Sequence, residues 1–356
     1  MNSQENTASD PELSAPQLKK LMAAIFQDHL VMEAAAASIT NQPRVDLALV
    51  PTLPDNQALA AGNAQDYQNQ LSTHQVAIYT EIQGFNTVFQ RFAAALLPSA
   101  QAWDAGDPQG AQRFTKIIEV VKRYATGFKT SAQDRQSALD GHVLLVKQDV
   151  ERYQTDVDLV STKIRGSGGE VDQLSAKLSD LSDQLADANR RIANGAVKDL
   201  LKAAELGLSL GMEVAEVPGV ASVVIDTAFS FADDAVGDDH DAQEASQQAL
   251  KEYRATLIRL ANETAQFGAL DTLMLNIGRF SRSLADAAAT NASLAKAWDT
   301  FAQAIDTFCT YQHSPAPGYF VAQLQAAQQF WQALSDEAAV YENKTFAIHM
   351  EASNGH

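Results

Sequence analysis

Apolar residues recur at alternating spacings of four and three along the middle of the chain. The stripe reads Leu139, Val143, Val146, Val150, Tyr153, Val157, Val160, Ile164, Ser167, Val171, Leu174, Leu178, Leu181, Leu185, Ala188 and Ile192. A weaker stretch in the same phase precedes it at Phe114, Ile118, Val121, Ala125 and Phe128. A sustained heptad is a coiled-coil seam, because only supercoiled helices keep such a stripe turned to a partner. The pattern predicts one helix over residues 109–193. From Leu139 to Ile192 alone it would extend roughly 80 Å, which predicts a rod. Gly166-Ser-Gly-Gly169 falls inside the stripe without breaking its phase. Each glycine costs about 1 kcal/mol of helix stability, so this is the softest point of the predicted arm.

Flanking stripes predict the remaining helices. A first helix runs from Pro16 to about Ser38, with Leu18, Leu21, Met22, Ile25, Phe26 and Leu30 inward. Asn41-Gln42-Pro43 ends it, and residues 44–55, with Pro51 and Pro54, read as an extended surface loop. A second helix is expected over 58–97, with Ile78, Ile82, Phe85, Phe89, Phe92 and Leu96 on its stripe and Pro98 with the Asp104–Pro108 turn as its stop. A long return helix is expected over 241–310. Its seam holds Leu250, Tyr253, Leu257, Leu260, Phe267, Met274, Ile277, Leu284, Trp298 and Ile305. Ser314-Pro-Ala-Pro-Gly318 breaks the chain before a last helix. That helix carries Phe320, Leu324, Ala327, Trp331, Leu334, Ala338 and Tyr341, with a frayed tail after Met350. The fold class is therefore all-α, an elongated antiparallel helical bundle. Residues 1–194 and 238–356 form its tail. The insertion between the two long arms, 195–237, is a small amphipathic head at the far tip.

The head divides at Pro218-Gly219. In its first half Lys198, Lys202, Glu205, Ser209, Glu213 and Glu216 line one polar stripe, and Leu200, Leu201, Leu206, Leu208, Leu210, Met212 and Val214 cover the rest. In the second half Ser222, Asp226 and Ser230 are polar, with Val220, Val223, Val224, Ile225, Phe229 and Phe231 around them. Each half is amphipathic with a wide apolar face. Two readings stay open. The head is either a helical cap packed on the bundle, or a membrane element. In a ring of copies, its polar stripes would face a lumen and its apolar faces would meet lipid or a neighbour. Gly195, Pro218, Gly219 and Gly237 are the candidate hinges. The longest uncharged run in the head, 217–225, would rise only about 14 Å as a helix, against about 30 Å of bilayer core. That favours a component lining or supporting a pore over one that anchors alone.

Composition narrows the partners. The chain has 356 residues, 46% apolar, with a formal net charge of −18. Nucleic acid is a poor partner for such a surface, and any membrane contact must be apolar or receptor-directed. The single cysteine, Cys309, excludes an internal disulfide framework and reads as core filler near a helix end. The first residues are polar and acidic, without a basic, apolar leader. No stretch is long and apolar enough to span a bilayer. His29, His74, His142, His313 and His349 are scattered, and those on stripes, such as His74, read as core or interface. The acidic run Asp233-Asp234 and Asp238-Asp239-His240-Asp241 reads as a solvated helix start, with a pH trigger as the alternative. Asn262, Asn291 and Asn343 open formal glycosylation sequons that fall on predicted helices. No catalytic constellation stands out, so no enzyme activity, cofactor or metal is expected.

The opening helix, then Asn41-Gln42-Pro43 with Val45, Leu47 and Leu53, then Gln57, Ala60, Asn63 and Ala64, resembles the start of the haemolysin BL and non-haemolytic enterotoxin proteins. The order of parts is similar too. The wider group includes cytolysin A, the tripartite toxins of Gram-negative bacteria and the motility-associated killing factors. The resemblance implies a secreted, water-soluble and monomeric subunit of a multipartite, tripartite-type α-helical pore-forming toxin. Such a subunit would leave the cell without a standard signal peptide. It would refold its head and assemble with homologous toxin subunits on a target-cell membrane of the host. In several relatives the head includes a short β-tongue, and Val220 to Ile225 is β-branched enough to allow one. This head lacks two long uncharged segments and looks like the amphipathic partner. The rival reading is a non-lytic coiled-coil scaffold or adhesin-like interaction protein.

Overall fold

In the computed structural model the described residues are 13–164 and 265–354, apart from 43, 46, 48 and 312. Single helical positions between 173 and 184 and between 248 and 256 are also described. The helices are α1 (Pro16–Thr40), α2 (Leu53–Asp66), a π-helical turn (Tyr67–Leu71), α3 (Ser72–Asp104), α4 (Pro108–Ile164), α5 (Ala265–Cys309) and α6 (Tyr319–Asn354). The fold is an all-α helical bundle, and the described residues include no strand, only an isolated bridge between Leu47 and Val50. The chain clusters into two compact units.

The first unit comprises Met1–Ile25, His74–Ser137 and Ala288–Thr345. Its helices pair antiparallel. Along α3 and α6, Gln83 donates to Glu342 at 2.6 Å, Asn86 to Gln332 at 3.1 Å, and Gln90 to the Gln328 carbonyl at 2.8 Å. Along α4 and α5, Lys122 meets Asp306, Lys129 meets Asp299 at 2.8 Å, and Arg135 meets Asn291. The interior is aromatic. Trp331 packs on Phe85 with ring centroids 4.3 Å apart and stacks on Trp298 at 5.9 Å, and Trp103 stacks on Phe320 at 3.8 Å.

The α3–α4 turn needs its glycines. Gly106 has φ +82°, and a Cβ at Gly110 would lie 2.7 Å from the Trp103 nitrogen. Asp104, the last residue of α3, caps α6 from outside. Its carboxylate accepts from the backbone N–H groups of Phe320 at 3.1 Å and Val321 at 3.0 Å, and from the Ser314 hydroxyl at 2.8 Å. A carboxylate there satisfies orphan donors and opposes the helix dipole.

The second unit comprises Phe26–Thr73, Ala138–Ala287 and Phe346–His356. Here α2 lies antiparallel on α4. Thr52 and Asn56 donate to Asp156 at 2.9 and 2.6 Å, and Asn63 donates to Asp149 at 2.6 Å. Lys177 Nζ lies 3.4 Å from the Glu252 carboxylate, which brings the outgoing and returning segments together.

The stripes hold at most of the described positions, with Leu21, Leu30, Phe92, Phe128, Val150 and Met274 only half-buried. Phe114, Ile118, Val121, Ala125, Leu139, Val143, Val146, Tyr153, Val157 and Val160 are buried, as are all seven stripe residues of α6. Four expectations fail. Residues 44–55 are not simply a surface loop, because Val45, Val50 and Leu53 are buried and α2 already starts at Leu53 with proline in its first turn. Pro98 does not stop the second helix. It sits inside α3, which runs on to Asp104 and ends at the expected Asp104–Pro108 turn. The lost backbone bond is outweighed because Leu96, Ala100 and Trp103 continue the buried stripe past it. His74 is exposed, and His29 and His142 are the buried imidazoles instead. The last helix continues through Asn354 rather than fraying after Met350. Among the sequons, Asn291 is buried and hydrogen-bonded to Gln75 and Arg135.

Candidate functional site

Every head residue singled out from the sequence, from Gly195 to Gly237, lies outside the described residues, as does the glycine-rich Gly166–Gly169. That covers both polar stripes, both apolar faces and all four hinges. The described residues hold a different concentration of chemistry, and it was not anticipated.

Arg135, His142, Asp149 and Asp156 follow one another at intervals of seven on α4, and all four are buried. They continue the position held by Phe128 and run beside Val143, Val150 and Val157. The heptad seam therefore carries a polar file along one edge. The missed signal was there: a polar, ionisable residue directly precedes Val143, Val150 and Val157, at a seven-residue repeat.

Each member of the file meets its own partners. Arg135 makes a bidentate ion pair with Glu81, at 2.7 and 2.8 Å, and also donates to Asn291 at 3.2 Å. Such a pair fixes register more than it adds net stability. Replacing Arg135 with methionine strands the Glu81 carboxylate, and we expect a loss of about 3 kcal/mol in denaturant unfolding. Replacing both residues with apolar side chains of similar size should recover most of that loss.

His142 packs against Tyr67 and Phe280, at ring-centroid distances of 6.3 and 6.2 Å. Burial lowers its pKa, opposed by a hydrogen bond with the Asn63 backbone and by Asp66 and Asp149. Burial raises the Asp149 carboxyl above its ordinary range, against the pull of Asn63 and Arg152. The Tyr67 phenol is fully buried, and burial, with Glu33 and Asp28, lifts it well above the usual tyrosine range. It therefore stays neutral. The π-turn puts it there. The Ser72 amide bonds back to the Tyr67 carbonyl, so one extra residue is accommodated and the ring turns inward.

Among the described residues no group of three or more His, Cys, Asp or Glu could hold a metal ion. No described helix is long and apolar enough to cross a membrane. Cys309 ends α5 half-buried, and burial raises its thiol pKa. The paired contacts of the polar file tie α2, α3 and α5 to α4 in register.

Comparison with known proteins gives this bundle a context. Residues 12–188 match the family model described as Bacillus haemolytic enterotoxin (HBL). No curated protein matches the chain. Soluble SmhA of the tripartite α-pore-forming toxin Smh from Serratia marcescens aligns with TM-score 0.63 and 14% identity, over 96% of this chain and 95% of its own. Soluble AhlB of the tripartite toxin AHL from Aeromonas hydrophila aligns with TM-score 0.65 and 16% identity, over 92% and 93%. The AhlB pore aligns at 0.54. The HblL1 toxin component of Bacillus cereus aligns with TM-score 0.63 and 17% identity, over 93% and 97%. At these identities the structural likeness shows the fold, and the family match covers about half of the chain.

Proposed function

From the match of residues 12–188 to the Bacillus haemolytic enterotoxin family, we propose that this chain is a subunit of an α-helical pore-forming toxin. Residues 195–237 are its head. They hide their apolar faces while the subunit is in water, and they turn them to lipid or to neighbouring subunits in the assembled pore. The polar stripe from Lys198 to Ser230 faces the lumen. Gly195, Pro218, Gly219 and Gly237 absorb the change of backbone path. The subunit is exported as a soluble protein and acts with homologous subunits, a reading supported by its likeness to components of toxins whose names call them tripartite.

The observation that supports this most is the pairing of an outgoing with a returning segment across Lys177 and Glu252, on either side of the amphipathic insertion. A hairpin carried between two paired helices can be repacked without dismantling the bundle behind it. The physical trade is burial against the bundle for burial in the assembly.

Flotation with liposomes tests the proposal. The chain mixed with the products of homologous neighbouring genes should float with the lipid as cross-linkable hetero-oligomers. A chain that stays in the aqueous fraction in every mixture is a soluble scaffold, and the proposal fails.

A further inference from the structure

We propose that His142 is the proton sensor of a latch that holds α2 and its π-turn against α4 and α5, and that the latch opens as pH falls below neutral. The device lies wholly within the second unit and does not depend on the toxin reading.

The geometry makes α2 the weak element. Its buried residues are Leu53, Gln57, Ala60 and Ala64, so only one large apolar side chain anchors fourteen residues. An isolated helix of that length is marginal in water. What secures it is polar: Thr52 and Asn56 on Asp156, Asn63 on Asp149, and the Asn63 backbone on His142. The preceding loop travels with it, since the Val45 amide donates to the Gln57 side chain at 2.8 Å. Residues 49–71, with Val45 tied to Gln57, thus form a strap.

His142 is the joint of that strap. It is only 7% exposed, and its Nε2 has no hydrogen-bond partner. Tyr67 and Phe280 wall it in, and they meet each other edge-on at 5.6 Å. A second proton on this imidazole would place a buried N–H donor without an acceptor at Nε2 and a positive charge out of reach of water. The charged groups around it come from each packed element. Asp66 ends α2, Asp149 sits one heptad along α4 with Arg152 beside it, and α1 brings Asp28 and Glu33 to Tyr67. On α5, Arg279 is half-exposed and Arg282 is exposed. The two carboxylates favour the charged imidazole, but burial outweighs them.

The sign follows. A histidine whose pKa is depressed in the closed form holds the strap fully above about pH 6.5 and progressively less below it. Asp149 acts in the opposite sense at lower pH. Its raised carboxyl favours closure once it is protonated, which opposes further release as pH falls.

Hydrogen exchange of the full chain tests the latch, with rates corrected for intrinsic pH dependence. Between about pH 7.5 and about pH 5.5 the protection of residues 53–71 should fall roughly tenfold. Residues 85–96 of α3 should not change. In His142→Phe, which keeps an aromatic ring and cannot titrate, the fall should shrink below about twofold, and His142→Gln serves if the first variant does not fold. An NMR titration of the wild-type imidazole needs no variant and should place it below the ordinary histidine range. The proposal is overturned by any of three results: no fall in the wild type, an equal fall in the variants, or a fall abolished only by His29→Gln. An imidazole that titrates at or above the ordinary range overturns it as well.

Discussion

Aspartate at Val224 and Phe229 should abolish pore activity while leaving the soluble protein intact. Both positions belong to the apolar face predicted for the second half of the proposed head. An aspartate at the centre of a bilayer costs about 3 kcal/mol, so the pair would move the insertion equilibrium by several powers of ten. In water the same carboxylates weaken only the packing of the head and leave the helical bundle behind it in place. The expected signature is unchanged far-UV circular dichroism and unfolding midpoint, with leakage from a reconstituted mixture reduced to background. A mixture that leaks as before would remove the head from the mechanism.

The second large effect belongs to the bundle. Trp331→Ala should lower stability by about 3–5 kcal/mol. Trp331 is fully buried, packs on Phe85, Phe301 and Trp298 at ring-centroid distances of 4.3, 5.0 and 5.9 Å, and donates its indole N–H to the Leu13 carbonyl at 3.1 Å. Truncation opens a cavity among rings of α3 and α5 and orphans a buried carbonyl. Trp331→Phe keeps most of the volume and should lose only about 1–2 kcal/mol. Denaturant unfolding of both variants separates the two terms. A loss below about 1 kcal/mol for the alanine variant would contradict this packing.

Much of the bundle was legible because helical periodicity is a direct imprint of burial. Phe320, Leu324, Ala327, Trp331, Leu334, Ala338 and Tyr341 are all buried as their spacing requires. What misled was local chemistry read without its context. Pro98 is a helix stop by propensity, yet Trp103 beyond it contributes enough burial to carry α3 past it. Pro54 reads as a loop residue, yet at the first turn of α2 its missing N–H costs nothing. The polar file on α4 was invisible for another reason. Arg135, His142, Asp149 and Asp156 are hydrophilic, and periodicity looks for apolar residues. Their partners, Glu81, Asn63, Asn56 and Thr52, are supplied by segments distant in sequence. The head rests on amphipathic pattern and family likeness, and its residues fall outside those described.

Release of an entrapped dye from liposomes tests the central claim most directly. With the homologous subunits present, this chain should be required for rapid and complete release, and a version lacking residues 195–237 should fail to replace it. Release that proceeds equally well without this chain, or with its headless form, would contradict the claim that the insertion helps to build the pore.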